Sequence, residues 1–201
     1  MQLALSKNKV ASSVAILLAC LVGDKNSVPL KEGDLAAAVC DNITHAIVGV
    51  FVWLSVILGR SPIGPTNYIE IVTCGLISSF IDLDHFMAAR SFNLKDAVNL
   101  SHRPMFHCTS GAMAVSGGML MIAYLLHISW LYRFACIVIA AFLSHHIRDS
   151  TRRGLWIWPF GVTKPIPYFA YLIAEVLLPH AIIMLVSAFP VESPRNYDSN
   201  V

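Results

Sequence analysis

Carboxylate and imidazole side chains, which together bind divalent metal ions, occur in four short stretches of this sequence. The stretches are CDNITHA, FIDLDHF, SHRPMFHC and SHHIRDS, and each holds at least one His together with an Asp or an Arg. Such ligands suit zinc first, with manganese or iron as alternatives. The candidate ligands are Asp41, His45, Asp82, Asp84, His85, His102, His107, His145, His146 and Asp149.

The spacing within the stretches predicts which side chains share one helix face. Residues three or four apart lie on the same face of an α-helix, which pairs Asp41 with His45, Asp82 with His85, and His145 with Asp149. Asp84 points roughly 160° away from its neighbour two positions earlier on an ideal helix. It therefore either supports a ligand from outside or reaches the site because the helix end unwinds.

The elements that must position these residues are membrane helices. The chain is 56% hydrophobic and 13% charged, about half the charged share of a soluble domain, and a net charge of +2 without a basic run argues against nucleic acid. Because a membrane-spanning helix needs about 20 apolar residues, the sequence predicts an all-α, multi-pass transmembrane helix bundle of five to six membrane helices in a single domain. We expect helices at residues 10–23, 35–59, 67–87, 105–130, 132–149 and 166–189, and a polar tail at residues 190–201.

The first of these segments is open to a second interpretation. Residues 10–23 form a short apolar run preceded by Lys7 and Lys9, a pattern that also fits a signal peptide. Counting the later crossings does not depend on it. The count places all four polar stretches, and with them six of the eight His residues, at one membrane face. Loops on that side also carry more Lys and Arg, which predicts a cytoplasmic site.

Charge balance suggests what such a site would hold. Four carboxylates at one face would be balanced by two divalent cations, so we expect one or two ions, with some residues supporting the ligands. Helix-end polar residues that only snorkel, or a path for protons or other ions, are the alternatives. As an enzyme, the protein would hydrolyse a phosphoester or lipid-like substrate, with Arg103 or Arg148 stabilising the developing negative charge. The competing hypothesis is a non-catalytic, metal-stabilised scaffold or ion-handling protein in the bilayer.

The motifs also resemble a known family. THAIVG, FIDLDHF, HRPMFHC and SHHIRDSTRRGLWIWPF are similar, in order and spacing, to the motifs of the YdjM-like membrane-bound metal-dependent hydrolases. The resemblance implies a metal site at His45, Asp82, Asp84, His85, His102, Arg103, His107, His145 and Asp149. Cys108 and Pro104 depart from the family pattern and reshape the turn around the second His. The strings SHHIRD, GLWI and PFG are closest to animal members, which implies an internal membrane of a eukaryotic cell.

Overall fold

A bundle of apolar helices forms the body of the protein. The computed structural model describes residues 2–28, 34–60 and 63–188; the predicted polar tail and residues 29–33 and 61–62 lie outside the described residues. In chain order the elements are α1 (Gln2–Asn26), α2 (Leu35–Leu58), α3 (Pro65–Phe80), α4 (Leu83–Ala89), α5 (Leu94–Val98), a 3₁₀ turn (Met105–His107), α6 (Thr109–Leu125), α7 (Ser129–Arg153), β1 (Trp156–Ile157), β2 (Gly161–Val162) and α8 (Tyr168–Ser187).

The predicted all-α, multi-pass architecture is confirmed. Within the described part of the chain, four stretches are long and apolar enough to cross a membrane: α2, α3 with α4, α7 and α8. The helix α6 is apolar but shorter. All five cysteines are free.

Helix α2 lies at the centre and packs against α1, α3, α7 and α8. Its contact with α3 is close because both helices place glycine there. A Cβ on Gly75 would lie 2.9 Å from the carbonyl oxygen of Ala46, and one on Gly49 would lie 3.2 Å from that of Cys74. Small residues at such crossings let membrane helices approach backbone to backbone. The α2–α3 pair is therefore a tight frame for the residues at its end.

The stretch expected as one helix over residues 67–87 is interrupted after Phe80. The last carbonyls of a helix lack partners within it, and here side chains from other helices supply them. The carbonyl of Ser78 accepts from Nδ1 of His145 (2.8 Å), and that of Ser79 accepts from Nδ2 of Asn42 (2.8 Å). The chain then turns and restarts as α4, which presents Asp82 and Asp84 at the break.

The segment after α7 contains a small antiparallel hairpin of β1 and β2. The chain enters the hairpin through Gly154. Glycine is required there because its φ is 68° and because a Cβ would lie 2.0 Å from the carbonyl oxygen of Thr163. The hairpin is tied to the loop before α6 by a bridge between Cys108 and Trp156. The carbonyl of Gly154 also accepts from Nη1 of Arg103 (3.0 Å). The hairpin thus braces the loop that carries His107.

The opposite end of the bundle holds one polar cluster of a different kind. Glu70 of α3 forms a two-pronged ion pair with Arg133 of α7, with Nη2 of the Arg 2.7 Å from Oε2. The same Oε2 accepts from Nε1 of the fully buried Trp53 (3.1 Å). The carboxylate of Glu70 thus accepts hydrogen bonds from both the guanidinium of Arg133 and the indole N–H of Trp53.

Candidate metal centre

Four side chains from three parts of the chain converge at the end of the bundle where α3 breaks. They are Asp82, His107, His145 and Asp149. Nε2 of His145 lies 3.3 Å from Nε2 of His107, 3.5 Å from Oδ1 of Asp82 and 3.5 Å from Oδ2 of Asp149. Nε2 of His107 lies 3.5 Å from the same two carboxylate oxygens. These four atoms form the group that we call the metal centre.

The spacing of the four atoms fits a divalent ion. A regular tetrahedron with edges of this length has its centre about 2.1 Å from each corner, within the roughly 2.0–2.2 Å that zinc keeps from imidazole and carboxylate ligands. Two neutral imidazoles and two carboxylates would also neutralise a charge of +2. By donor type, distance and charge, the residues present fit one divalent cation.

The two imidazoles of the centre are held with their Nε2 atoms free to bind. Nδ1 of His145 lies 2.8 Å from the carbonyl oxygen of Ser78, which can only accept, so this nitrogen carries the proton. Nδ1 of His107 lies 3.3 Å from Oδ1 and 3.4 Å from Oδ2 of Asp84, and Oδ2 also accepts the backbone N–H of Phe106 (2.7 Å). A carbonyl or carboxylate behind an imidazole is the usual way to orient a metal-binding His. Asp84 therefore supports a ligand from outside, and the helix break is what brings it there.

His107 shows the electrostatics of the centre, because it lies in the loop outside the membrane helices. Burial lowers its pKa, but the carboxylates of Asp149, Asp82 and Asp84 outweigh this effect and raise the pKa to about 11. The negative potential at this point therefore attracts a cation, and in the metal-free protein that cation is a proton on His107.

Asp41 and His45 make a second group around Asp149, but protein cations already occupy it. Nη1 of Arg148 lies 2.7 Å from Oδ1 of Asp41 and 2.9 Å from Nε2 of His45, so that the imidazole accepts from the guanidinium. Arg152 donates to both carboxylates, Asp41 and Asp149. A second divalent ion at this position would meet two guanidinium groups, which disfavours it.

A third group joins Asp84, His85 and His107. Nδ1 of His85 lies 3.3 Å from Oδ1 of Asp84. His107 cannot hold one ion here through Nδ1 and another at the metal centre through Nε2 unless it loses both protons. The three groups therefore favour one ion over two, with His85 beside it.

The structure leaves two sequence-predicted ligands outside the three groups. His102 is exposed, and its Nδ1 lies 3.1 Å from the hydroxyl of Ser101. His146 is buried, and its Nε2 donates to the carbonyl of Phe106 (2.9 Å), which fixes the loop preceding His107 rather than placing the ring at the centre.

The two predicted arginines differ in position. Arg103 lines a cavity of about 510 Å³ that borders the metal centre at Asp82, His107 and Asp149. Arg148 is 2% exposed and points away, with Nε 2.9 Å from Oδ1 of Asp24. Of the two predicted arginines, Arg103 lines the cavity and Arg148 does not.

Sequence reasoning missed several residues that shape the site. Asp24 of α1 is the partner of Arg148. Asn42 of α2 exchanges hydrogen bonds with Ser79 and also donates to Oδ2 of Asp82 (3.3 Å). The position of Asn42 next to Asp41, in one of the four polar stretches, is a weak signal for its role. Nothing local in the sequence marks Asp24, because its partner is far along the chain.

The fold and the site together define a multi-pass helical membrane protein with clustered His and Asp residues that could hold a metal ion at one end of its bundle. A model of the YdjM inner membrane protein family matches residues 40–197. The chain belongs to that family, and the resemblance expected from its motifs is confirmed.

The chain is also similar to proteins named Transmembrane protein 267. The identity is 36% over 172 residues with that of Xenopus laevis, covering 84% of this chain and 78% of the relative. It is 34% over 178 residues with that of Mus musculus (87% and 81%) and 42% over 145 residues with that of Danio rerio (71% and 64%). No solved structure matches the chain. The names place the relatives in membranes and state no reaction.

Proposed function

We propose that the protein is a metal-dependent hydrolase of phosphoesters that works at one face of a membrane. The observation that carries this proposal is the set of four donor atoms, 3.3–3.5 Å apart along the contacts of the two imidazoles, of which those of Asp82, His107 and Asp149 belong to residues that line a cavity. A metal ion bound there, with zinc the first candidate and manganese or iron the alternatives, would activate water and withdraw charge from a phosphoryl oxygen.

The side chains around the cavity have roles that follow from their positions. Arg103 would attract the negative charge of the phosphoryl group from the cavity wall. His85 borders the cavity with its Nδ1 3.3 Å from Oδ1 of Asp84, and it would exchange a proton with water or with the leaving group. Arg148 would act indirectly, because its contacts with Asp41 and His45 hold α2 against α7.

A non-catalytic, metal-stabilised membrane protein is the second candidate. It is favoured by the number of donors: four protein ligands complete a tetrahedral set, which is typical of structural zinc sites. The cavity beside Asp82 and Asp149 favours the enzyme, since a structural site is usually enclosed. Both candidates require the ion, and only the first requires turnover.

The test combines metal analysis with an assay. We expect the wild-type protein, purified in detergent and washed with chelator before reloading, to hold one ion per chain, and His145→Ala to hold almost none. His180→Ala is the matched control, because His180 is an exposed His on α8 outside the three groups. The hydrolase would be supported if the metal-loaded wild-type protein releases phosphate from a phosphoester and the metal-loaded Arg103→Ala variant does not. Full metal binding without any turnover would favour the structural role.

The proposal extends to location. The excess of Lys and Arg on the site's side favours a cytoplasmic metal centre, and the similarity to animal proteins favours an internal membrane of a eukaryotic cell. A glycosylation acceptor inserted between Arg152 and Lys164 should remain unmodified, whereas one next to His127, at the other end of α7, should be glycosylated. The reverse pattern would place the centre on the lumenal side.

A further inference from the structure

The cavity beside the metal centre has two chemically different walls. Its polar side is formed by three residues of the metal centre and by three arginines: Asp82, His107, Asp149, Arg103, Arg152 and Arg153. Side chains of α2, α3 and α4 form an apolar side, which includes Leu35, Val39, Ile43, Phe80 and Leu83. A volume of about 510 Å³ falls in the usual range for a small-molecule site, about 300–1,000 Å³. A wholly water-soluble phosphoester would leave the apolar side in contact with water.

The apolar wall belongs to helices that lie in the membrane. Leu35, Val39 and Ile43 follow each other at intervals of four on α2, so they form one stripe along that helix. They are 65%, 47% and 50% exposed, and Phe80 of α3, on the same apolar side, is 55% exposed. Because α2, and α3 together with α4, are long and apolar enough to cross a membrane, these exposed side chains would meet hydrocarbon. The cavity is therefore continuous with the bilayer on this side.

Three arginines lie on the polar side of the cavity, and two of them have no carboxylate partner among the described residues. Arg152 is paired with Asp41 and Asp149. Arg103 and Arg153 also line the cavity, yet neither has a carboxylate within ion-pair distance among the described residues. Burial, and then the positive charge of Arg153, lower the pKa of Arg103. An anion bound between these two neighbouring arginines would relieve their mutual repulsion, so the cavity rim favours anion binding.

We infer that the cavity binds a phosphate ester of a membrane lipid, with the phosphate at Arg103 and Arg153 beside the metal centre and the hydrocarbon chain along the apolar wall of α2, α3 and α4. This inference rests on the proposed function and names its substrate class. In the reaction, the oxygen of water forms a bond to phosphorus as the bond from phosphorus to the lipid oxygen breaks. The lipid alcohol takes up one proton of the water and stays in the bilayer, and the phosphate leaves with the other.

The inference can be tested by photolabelling in nanodiscs of phosphatidylcholine. The probe is dodecyl phosphate with a diazirine at the end of its chain. We expect it to label peptides from the apolar wall, dodecyl phosphate to compete with it, and dodecanol to compete much less. Arg103→Met and Arg153→Met should each reduce labelling at limiting probe by about tenfold, since each removes a charged hydrogen-bonding group. Arg60→Met is the matched control, because Arg60 is exposed at the other end of the bundle.

The apolar wall has its own matched pair of variants. Val39→Trp should block the wall and abolish specific labelling. Val72→Trp should not, because Val72 has a similar exposure (55% against 47%) on a membrane helix but lies outside the cavity lining.

Three results are distinguishable. Equal competition by inorganic phosphate and dodecyl phosphate would overturn the lipid assignment in favour of a soluble phosphoester. Labelling that ignores both arginine substitutions and is equally reduced by dodecanol would show only general contact with the bilayer, and would also overturn it. Metal content measured on the same samples reports separately on the proposed function: labelling that depends on the arginines in a protein without metal would support the lipid site and remove the hydrolase.

Discussion

The two ends of the bundle solve the problem of a charge near the membrane in different ways. At one end, Glu70 has a permanent partner in Arg133 and an additional donor in Trp53. At the other end, the ion-pair and hydrogen-bond partners of the Asp82 side chain among the described residues are imidazoles and an amide. An acid that faces a guanidinium is neutralised by the protein itself. An acid that faces imidazoles, whose charge depends on a proton, is neutralised only when a proton or a metal ion arrives.

The same contrast divides the metal-centre end internally. Asp41 is held by Arg148 and Arg152, so it resembles Glu70 more than Asp82. Such pairs fix the helices against each other, whereas the metal centre keeps its donors available. Arg152 also pairs with Oδ1 of Asp149 and leaves its Oδ2 to the imidazoles, so the cationic partners distinguish single carboxylate oxygens rather than whole residues.

The sharpest test compares one acid from each end. Asp149→Asn should remove nearly all bound metal, because its carboxylate contacts His45, His107 and His145. Glu70→Gln should leave the metal content unchanged, although it strands Arg133 and should destabilise the fold by about 3–5 kcal/mol if the pair behaves as buried, less in proportion to the exposure of Arg133. Metal analysis and thermal unfolding of the two variants in one detergent give both readings. Loss of metal in Glu70→Gln would break the comparison.

The acid behind the ligand should have a smaller effect. Asp84→Asn weakens the acceptor for Nδ1 of His107 and for the N–H of Phe106. We expect the affinity for metal to fall by about 10–100-fold while the fold persists. Asp96→Asn on α5 is the control, since the one side-chain hydrogen bond of Asp96 among the described residues is an exposed one, from the hydroxyl of Ser91 (2.6 Å). Competition with a zinc-binding dye measures both, and equal affinities would show that Asp84 does not support His107.

A pH titration of the metal-free protein should separate the two ends. The pKa of His107 is raised from its ordinary 6.5 to about 11, so its proton stabilises the fold fully below pH 6.5 and progressively less as the pH rises toward 11. The slope should be at most about 1.4 kcal/mol per pH unit for one proton. His107→Gln should lose this slope, while Arg133→Met should keep it. Over the same window, metal should bind more tightly at higher pH because it displaces that proton. A wild-type stability that is flat between pH 7 and 10 would contradict the raised pKa.

The smallest effect is expected at a residue that the family motif implies as a ligand. His102→Ala should change the metal content very little, because the ring is exposed and outside the three groups. The comparison with His107→Ala, one 3₁₀ turn further along the chain, uses the same residue type in the same loop. Equal losses in the two variants would mean that the loop binds metal through both imidazoles.

Much of this organisation could be predicted from the sequence. Composition was enough for the membrane bundle, because a low charged fraction and long apolar runs admit few other structures. The convergence of Asp82, His107, His145 and Asp149 followed from counting crossings, since an even number of helices returns the chain to the same face. The spacing of His145 and Asp149 also predicted that they share a helix face.

Other features depend on partners that are distant in sequence. The sequence alone leaves two possible roles for Asp84, because its position depends on whether α3 breaks. The break is stabilised by His145 and Asn42, which belong to other helices. Arg148 and Arg152 share a helix face, yet one turn of difference decides which meets Asp24 and which meets the cavity. Neither residue type nor local spacing carries that information.

The capping of α3 by residues of the site has a consequence for hydrophobic mismatch. When bilayer thickness changes, a membrane helix can tilt, or it can slide along its neighbours. Sliding α3 along α7 or α2 would separate Ser78 from His145 and Ser79 from Asn42, and would leave carbonyls without donors at the end of the helix. The helices that carry these contacts should therefore tilt together as one body. The depth of the metal centre below the lipid headgroups would then vary with membrane thickness, while its donor distances stay the same.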